Sequence, residues 1–274
     1  MIEESLLLEA MNKAADAAAK ETLSRFRSGT AITNKLASSI ENAAQGAFDP
    51  VTEADQEAET AIRAVIMSLF PDHGILGEEA GHHQSDAPWQ WIIDPIDGTR
   101  AFISGLPVWG TLIGLYCKGA PYAGMLDQPF TGERFLGYPR ADGQKISQLH
   151  RESCQPRTLQ TRQTDTLSDA ILMTTSPRIF NAKDKARYDR LEAHVKLPRY
   201  GCDCYAYAMV AAGQVDLVVE SGLNSYDIAA LIPLIENAGG IVTSWSGGDA
   251  SQGGDILAAA NPTIHAAAMA VLGY

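Results

Sequence analysis

The 274-residue sequence predicts an α+β / α/β fold, and three observations carry that expectation. A helical period opens the chain, strand-like runs broken by Gly and Pro fill the middle third, and strands alternate with helices beyond about residue 143. Residues 5–28 place Leu6, Ala10, Ala14, Ala18 and Leu23 on one helical face. Residues 29–50, holding Gly29, Asn34, Lys35 and Gly46, read as a hairpin or loop. The run Asp49-Pro50-Val51-Thr52-Glu53-Ala54-Asp55 then leads into a second helix, with Ala58, Ala61, Ile62, Val65, Ile66 and Leu69 at helical spacing. Thr52 and Asp55 are placed to cap it. Strands are expected at 74–77, 89–93, 110–116 and 122–126, with more near 128–138. The second half reads as strand 170–174, helices 183–194 and 204–212, strand 215–220, helix 226–238, strand 240–243 and an Ala-rich helix from Pro262. The expected division is residues 1–143, an α+β half, and residues 144–274, an α/β half.

Composition excludes several functions. The hydrophobic fraction of 46% with 20% charged residues is that of a globular chain with a core. A net charge of −12 without a basic patch speaks against nucleic acid, whose phosphates need clustered Lys and Arg. It leaves room for a small phosphate ester if metal ions supply the positive charge. The sequence holds no uninterrupted apolar run of transmembrane length, and Met1-Ile2-Glu3-Glu4 is not the start of a signal peptide, so a cytoplasmic location and no membrane partner are expected. Cys117, Cys154, Cys202 and Cys204 are then free thiols. Cys202-x-Cys204 lacks the spacing and the histidines of a zinc site.

The chemistry-bearing residues are acids at element boundaries. Gly77-Glu78-Glu79 follows a strand-like run, Asp94-Pro95-Ile96-Asp97-Gly98-Thr99 follows another, and Tyr226-Asp227 opens a helix. Pro95 lacks an N–H and Gly98 invites a turn, so the strand before them is expected to end there. That turn brings Asp94 and Asp97 to one edge with a free carbonyl between them, an oxygen set suited to hard divalent cations. Two such ions about 3.5–4 Å apart fit phosphoryl transfer. Each acid also has a plain structural role open to it. Asp beside Pro or Gly forms turns, Asp227 serves as a helix cap, and Glu78-Glu79 forms a solvated bend.

Taken together, Asp49-Pro-Val-Thr-Glu-Ala-Asp55, Gly77-Glu-Glu79, Trp91-Ile-Ile-Asp-Pro-Ile-Asp-Gly-Thr99 and Tyr226-Asp-Ile-Ala-Ala230, running on into Glu236-Asn-Ala-Gly-Gly240, resemble the signature blocks of the inositol monophosphatase family. The resemblance implies an alternating αβαβα sandwich, commonly a homodimer, that hydrolyses small phosphomonoesters with Mg2+ and is inhibited by Li+. Position by position, it implies one metal on Glu78, Asp94 and the Ile96 carbonyl and a second on Asp94, Asp97 and Asp227. A third, weaker ion would use Glu78 and water. Asp49 and Thr99 match the pair that orients and deprotonates the attacking water, and Gly98 and Thr99 would offer N–H groups to the phosphate. Glu79 would support this shell, and Lys35 matches a lysine near the site.

Within that family, Arg199-Tyr-Gly-Cys-Asp-Cys-Tyr-Ala-Tyr207 and Asp216-Leu-Val-Val-Glu-Ser-Gly222 are more similar to the histidinol-phosphatase branch, active in histidine biosynthesis, than to the inositol branch. Asp203 and Glu220 would face the leaving group, and two carboxylates suit the ammonium and imidazole of histidinol better than a polyol. Asp203 equally suits a helix cap. Arg199 is placed near the phosphate or in a surface pair. His82-His83 read as solvated, and Trp109, Tyr205 and Tyr207 as core or pocket wall. The alternatives are an inositol-1-monophosphatase, a broad sugar-phosphate phosphatase and, outside the enzymes, a regulatory RNA-polymerase-associated protein.

Overall fold

The computed structural model describes residues 2–28, 32–34 and 50–273. Helix α1 (Glu4–Arg25) buries Leu7, Ala10, Met11, Ala14, Ala15, Ala18 and Thr22, so small residues form most of its packed stripe. Helix α2 (Glu53–Leu69) buries Ala54, Asp55, Ala58, Glu59, Ile62 and Ile66. Two acids on a buried stripe are costly unless they are partnered, so Asp55 and Glu59 mark where this helix meets something polar. Between the two helices, β1 (Ile32–Asn34) pairs antiparallel with β2 (Pro50–Thr52).

Helices α1 and α2 lie on an eight-stranded sheet. Its strands are β3 (Gly74–Gly77), β4 (Gly81–His83), β5 (Trp89–Asp97), β6 (Gly110–Cys117), β7 (Ala120–Gln128), β8 (Glu133–Pro139), β9 (Lys145–Arg151) and β10 (Arg157–Thr158), in the order β10-β9-β8-β7-β6-β5-β3-β4. Strands β5 to β10 form an antiparallel meander, and β3 runs parallel to β5. Strand β5 does not stop at Asp94, as the Pro was expected to dictate. It continues to Asp97 through a register irregularity between Asp94 and Asp97, where Pro95 needs no ladder N–H. The Pro95 carbonyl instead accepts from the Thr111 hydroxyl at 2.8 Å.

The second sheet has five strands: β11 (Ile171–Thr174), β12 (Leu197–Tyr200), β13 (Leu217–Leu223), β14 (Ile241–Ser244) and β15 (Gly254–Ala259), ordered β12-β11-β13-β15-β14. Helices α4 (Ala182–Glu192) and α8 (Pro262–Leu272) cover its outer face, where Tyr188, Leu191, Ile264 and Ala268 pack on Leu172, Leu217, Val219 and Leu257. Between the sheets lie α5 (Asp203–Ala211), α6 (Ser225–Ile228) and α7 (Leu231–Glu236), which share one apolar cluster with Leu112, Leu126 and Phe135 of one sheet and Val218, Ile256 and Ala258 of the other. The layers thus run α1/α2, sheet, α5/α6/α7, sheet, α4/α8, an αβαβα sandwich. The single helix expected over 226–238 is two, because Pro233 cannot donate back along it.

The middle layer sits on the large sheet through glycines. Gly114, Gly124 and Gly137 stand opposite one another on β6, β7 and β8. A Cβ on Gly124 would lie 1.9 Å from the Ala230 carbonyl oxygen, one on Gly137 would lie 2.5 Å from Leu234 backbone, and one on Gly114 would lie 2.9 Å from the Ala229 Cβ. The bare strand surface lets the α6–α7 backbone rest directly on the sheet, which fixes Asp227 relative to β5.

Candidate active site

The acids expected to act together converge on a cleft of about 220 Å3, lined by Glu78, Asp94, Ile96, Asp97, Gly98, Thr99, Thr175, Asp203, Cys204, Tyr207, Glu220 and Asp227 among others. Two elements supply its floor. The irregular end of β5 presents Asp94 and Asp97, and the first turn of α6 presents Asp227. Carboxylate oxygens of Asp94, Asp97 and Asp227 lie within 4.8 Å of one another. Asp227 also plays the structural part open to it, since its Oδ2 accepts the Asn224 N–H at 2.6 Å in a capping box. The cap holds the carboxylate in place beside Asp94 and Asp97.

Electrostatics at this floor are strained. Burial, then the charges of Glu78, Asp97 and Asp227, push the Asp94 carboxyl well above the usual range. Burial, then Asp227 and Asp203, do the same to Asp97, against an opposing hydrogen bond from the Cys204 N–H at 3.0 Å. Like charges confined this closely call for a cation. The buried Tyr207 hydroxyl beside them has no hydrogen-bond partner among the described residues, a further sign that the floor is polar space meant for a guest. The donor set, carboxylates with the adjacent Ile96 carbonyl, fits a hard divalent ion. That carbonyl accepts from the Thr99 hydroxyl at 3.1 Å, while the Ile96 N–H donates to Asp94 Oδ1 at 3.0 Å.

Gly98 turns the chain from β5 into the short helix α3 (Thr99–Ile103) at φ +83°. A Cβ there would also lie 3.1 Å from Asp203 Oδ2. The backbone N–H groups of Gly98 and Thr99 thus stand at a helix start beside the carboxylates. Asp203 is not the cap of α5, a position held by Cys202; it opens the helix at φ +42°, a costly conformation for a residue with a Cβ. Across from it Glu220, 3% exposed, accepts the Thr175 N–H at 2.5 Å. Burial raises the Asp203 carboxyl and pushes Glu220 up to about 8.

Other expected residues fall elsewhere. Arg199 is exposed on the edge strand β12 and is not among the cleft residues, and the cation whose charge reaches Asp203 is Arg100 on α3. Asp49 and Lys35 lie outside the described residues. Of the two acids of the same block that are described, Glu53 is exposed on α2, while Asp55 is 1% exposed there. Its neighbour Ala54 packs in one cluster with Ile96, Ala101 and Phe102, so the first turn of α2 abuts the Gly98–Thr99 segment. A buried acid in a sequence-predicted cap position was the signal available for it. Trp109 is core, Tyr205 ties α5 to β8 by donating to Glu133 at 2.5 Å, and His82 and His83 are exposed. Tyr207 is core and cleft wall at once.

A family profile described as the inositol monophosphatase family matches residues 3–272. The chain belongs to the inositol monophosphatase family. An inositol monophosphatase structure from Zymomonas mobilis superposes with a TM-score of 0.80 at 33% identity, covering 97% of both chains. Family resemblance also extends to a bifunctional phosphatase IMPL2, chloroplastic, of Arabidopsis thaliana, 47% identical over 206 residues. That match covers 73% of this chain but only 56% of the plant protein's length. A histidinol-phosphatase of Chlorobaculum parvum is 33% identical over 224 residues, 82% of this chain and 83% of that one. The family is one of metal-dependent phosphatases, and among the described residues no helix is long and apolar enough to cross a membrane.

Proposed function

We propose that the protein hydrolyses histidinol phosphate to histidinol and phosphate, using Mg2+. The observation that carries the reaction is the Asp94, Asp97 and Asp227 cluster beside the Gly98–Thr99 turn. These three acids, with Glu78 and the Ile96 carbonyl, would hold two ions, with a weaker third beside Glu78 that Li+ would contest. When bound, divalent ions polarise the phosphate and activate water. The Gly98 and Thr99 N–H groups meet the phosphate oxygens. The Thr99 hydroxyl, within reach of the Ile96 carbonyl, orients the attacking water. An acid from the block that leads into α2 takes its proton. We assign this part to Asp55, which is 1% exposed and follows Ala54, a residue packed with Ile96 and Ala101 on either side of Gly98–Thr99; Asp49, the sequence-based choice, lies outside the described residues.

Substrate choice rests on Asp203 and Glu220. Two buried carboxyls on the leaving-group side favour a cationic alcohol, because a cation offsets the burial that otherwise neutralises them. The histidinol-phosphatase relative supports the same reading. The test compares kcat/KM on histidinol phosphate and inositol 1-phosphate in wild type and Asp203→Ala. The preference for histidinol phosphate should fall about 10- to 100-fold, the worth of one charge-assisted hydrogen bond. An unchanged ratio refutes the electrostatic basis of the choice, and no phosphate release from either ester with Mg2+ refutes the reaction. A homodimer in the cytoplasm belongs to the same proposal, checked by light scattering and by cell fractionation.

A further inference from the structure

Glu78 enters the cleft from the three-residue turn between β3 and β4, where Gly77 pairs with Gly81. A turn of this kind has few backbone bonds of its own. Glu78 N–H donates to the Ile93 carbonyl at 3.2 Å, whereas the next two N–H groups find a side-chain acceptor. The Glu59 carboxylate of α2 collects them: Oε2 accepts from Glu79 N–H at 2.7 Å and Oε1 from Ala80 N–H at 3.0 Å. Glu59 is 1% exposed, and its charge is met by Arg63 one turn on, whose Nε donates to Oε1 at 2.7 Å. The same guanidinium donates to the Gly81 carbonyl, so it spans from the carboxylate to the far side of the turn. Gly77 leaves room for this arrangement, since a Cβ there would lie 2.2 Å from Glu59 Oε1.

We propose that Glu59, held by Arg63, is a positioning residue that sets where Glu78 stands at the metal-binding cleft. The proposal rests on the reading of the cleft as a Mg2+ site of a phosphatase. A buried ion pair adds little to stability compared with an apolar pair of the same shape, so a carboxylate spent on two backbone N–H groups here is explained by the precision it gives the turn. Glu59 is not among the residues that line the cleft. It acts through the backbone on either side of Glu78, as the outer partners of metal ligands generally do.

The experiment titrates purified wild type, Glu59→Gln and Arg63→Gln with Mg2+, reading heat of binding by calorimetry and phosphate release from histidinol phosphate. In Glu59→Gln one amide NH2 faces a backbone N–H. Mg2+ affinity and the Mg2+ concentration for half-maximal rate should both worsen about 10- to 100-fold. At saturating Mg2+, kcat and the substrate KM should stay within about threefold, a split that a general loss of packing does not produce. Arg63→Gln keeps the Glu59 contacts to the turn and should shift Mg2+ affinity in the same direction by less. It also serves as the deciding variant if Glu59→Gln does not fold. A folded variant with wild-type Mg2+ affinity overturns the proposal. Wild type that binds Mg2+ yet releases no phosphate overturns the phosphatase reading, while the calorimetric comparison still decides the role of Glu59.

Discussion

Replacing Glu220 with Gln should make the ligand-free protein more stable and less selective. The carboxyl is 3% exposed, and burial, only partly offset by the hydrogen bonds from Thr175, lifts it from 4.5 to about 8. The folded state therefore binds a proton that the unfolded chain releases, and stability falls as pH rises from about 4.5 to about 8. At about 1.4 kcal/mol per pH unit, holding this group inside costs about 1 kcal/mol at pH 5 and about 3 kcal/mol at pH 7. Gln has the same shape, keeps the carbonyl oxygen that accepts from the Thr175 N–H and never ionises. Urea unfolding in EDTA at pH 5, 6, 7 and 8 checks the difference. The gain of Glu220→Gln over wild type should widen steadily with pH, and its preference for histidinol phosphate should fall. A gain that is constant across pH, or a variant less stable than wild type at pH 7, refutes the reasoning.

Asp94→Asn removes a carboxylate from the crowded floor, so phosphate release should fall at least about 100-fold while the thermal midpoint in EDTA rises; near-normal turnover contradicts the assignment. Gly124→Ala forces a methyl group toward the Ala230 carbonyl, and unfolding should show a loss of about 1–3 kcal/mol together with weaker Mg2+ binding. His73 stacks on Phe70 and accepts at Nδ1 from Trp91 Nε1 at 3.1 Å, so it is kept neutral, with burial lowering its pKa. The unfolded chain takes up this proton first, so the contribution is intact above about pH 6.5 and lost as pH falls below it. The stability difference between wild type and His73→Phe, measured from pH 7.5 to 5.5, should shrink on acidification.

Much of the site is legible in the sequence because its residues sit in short, local patterns. Glu78, Asp94, Asp97, Gly98, Thr99 and Asp227 are each next to the Gly, Pro or cap that places them, and all reach one cleft. What escapes is whatever depends on long-range packing. Pro95 reads as a strand end, yet β6 captures its carbonyl through Thr111 and the strand goes on. Strand β15 goes unread because Gly254-Asp-Ile-Leu-Ala-Ala259 has little β-branched character, and only its place between β13 and β14 makes it a strand. Asp55 reads only as a helix cap, and Glu59 carries no local signal, until the stripe that contains both is seen to be buried. Gly114, Gly124 and Gly137 fall within the strand runs that the sequence predicts, but what they are for, close contact with the α6–α7 backbone, depends on the packed layer.

That row of glycines also makes the acid cluster depend on the pairing of three strands. Asp227 cannot meet Asp94 and Asp97 until β6, β7 and β8 have paired and offered a surface for the α6–α7 backbone. The repulsion among the acids is therefore set against the packing of this layer, whose Ile228, Leu231, Ile232 and Leu234 are buried with it. A cation binds the closed arrangement and not the open one, so it acts as a latch on this layer. Withdrawing it loosens the α6–α7 layer before the sheets, and the first amides to exchange on chelation are those of residues 225–236.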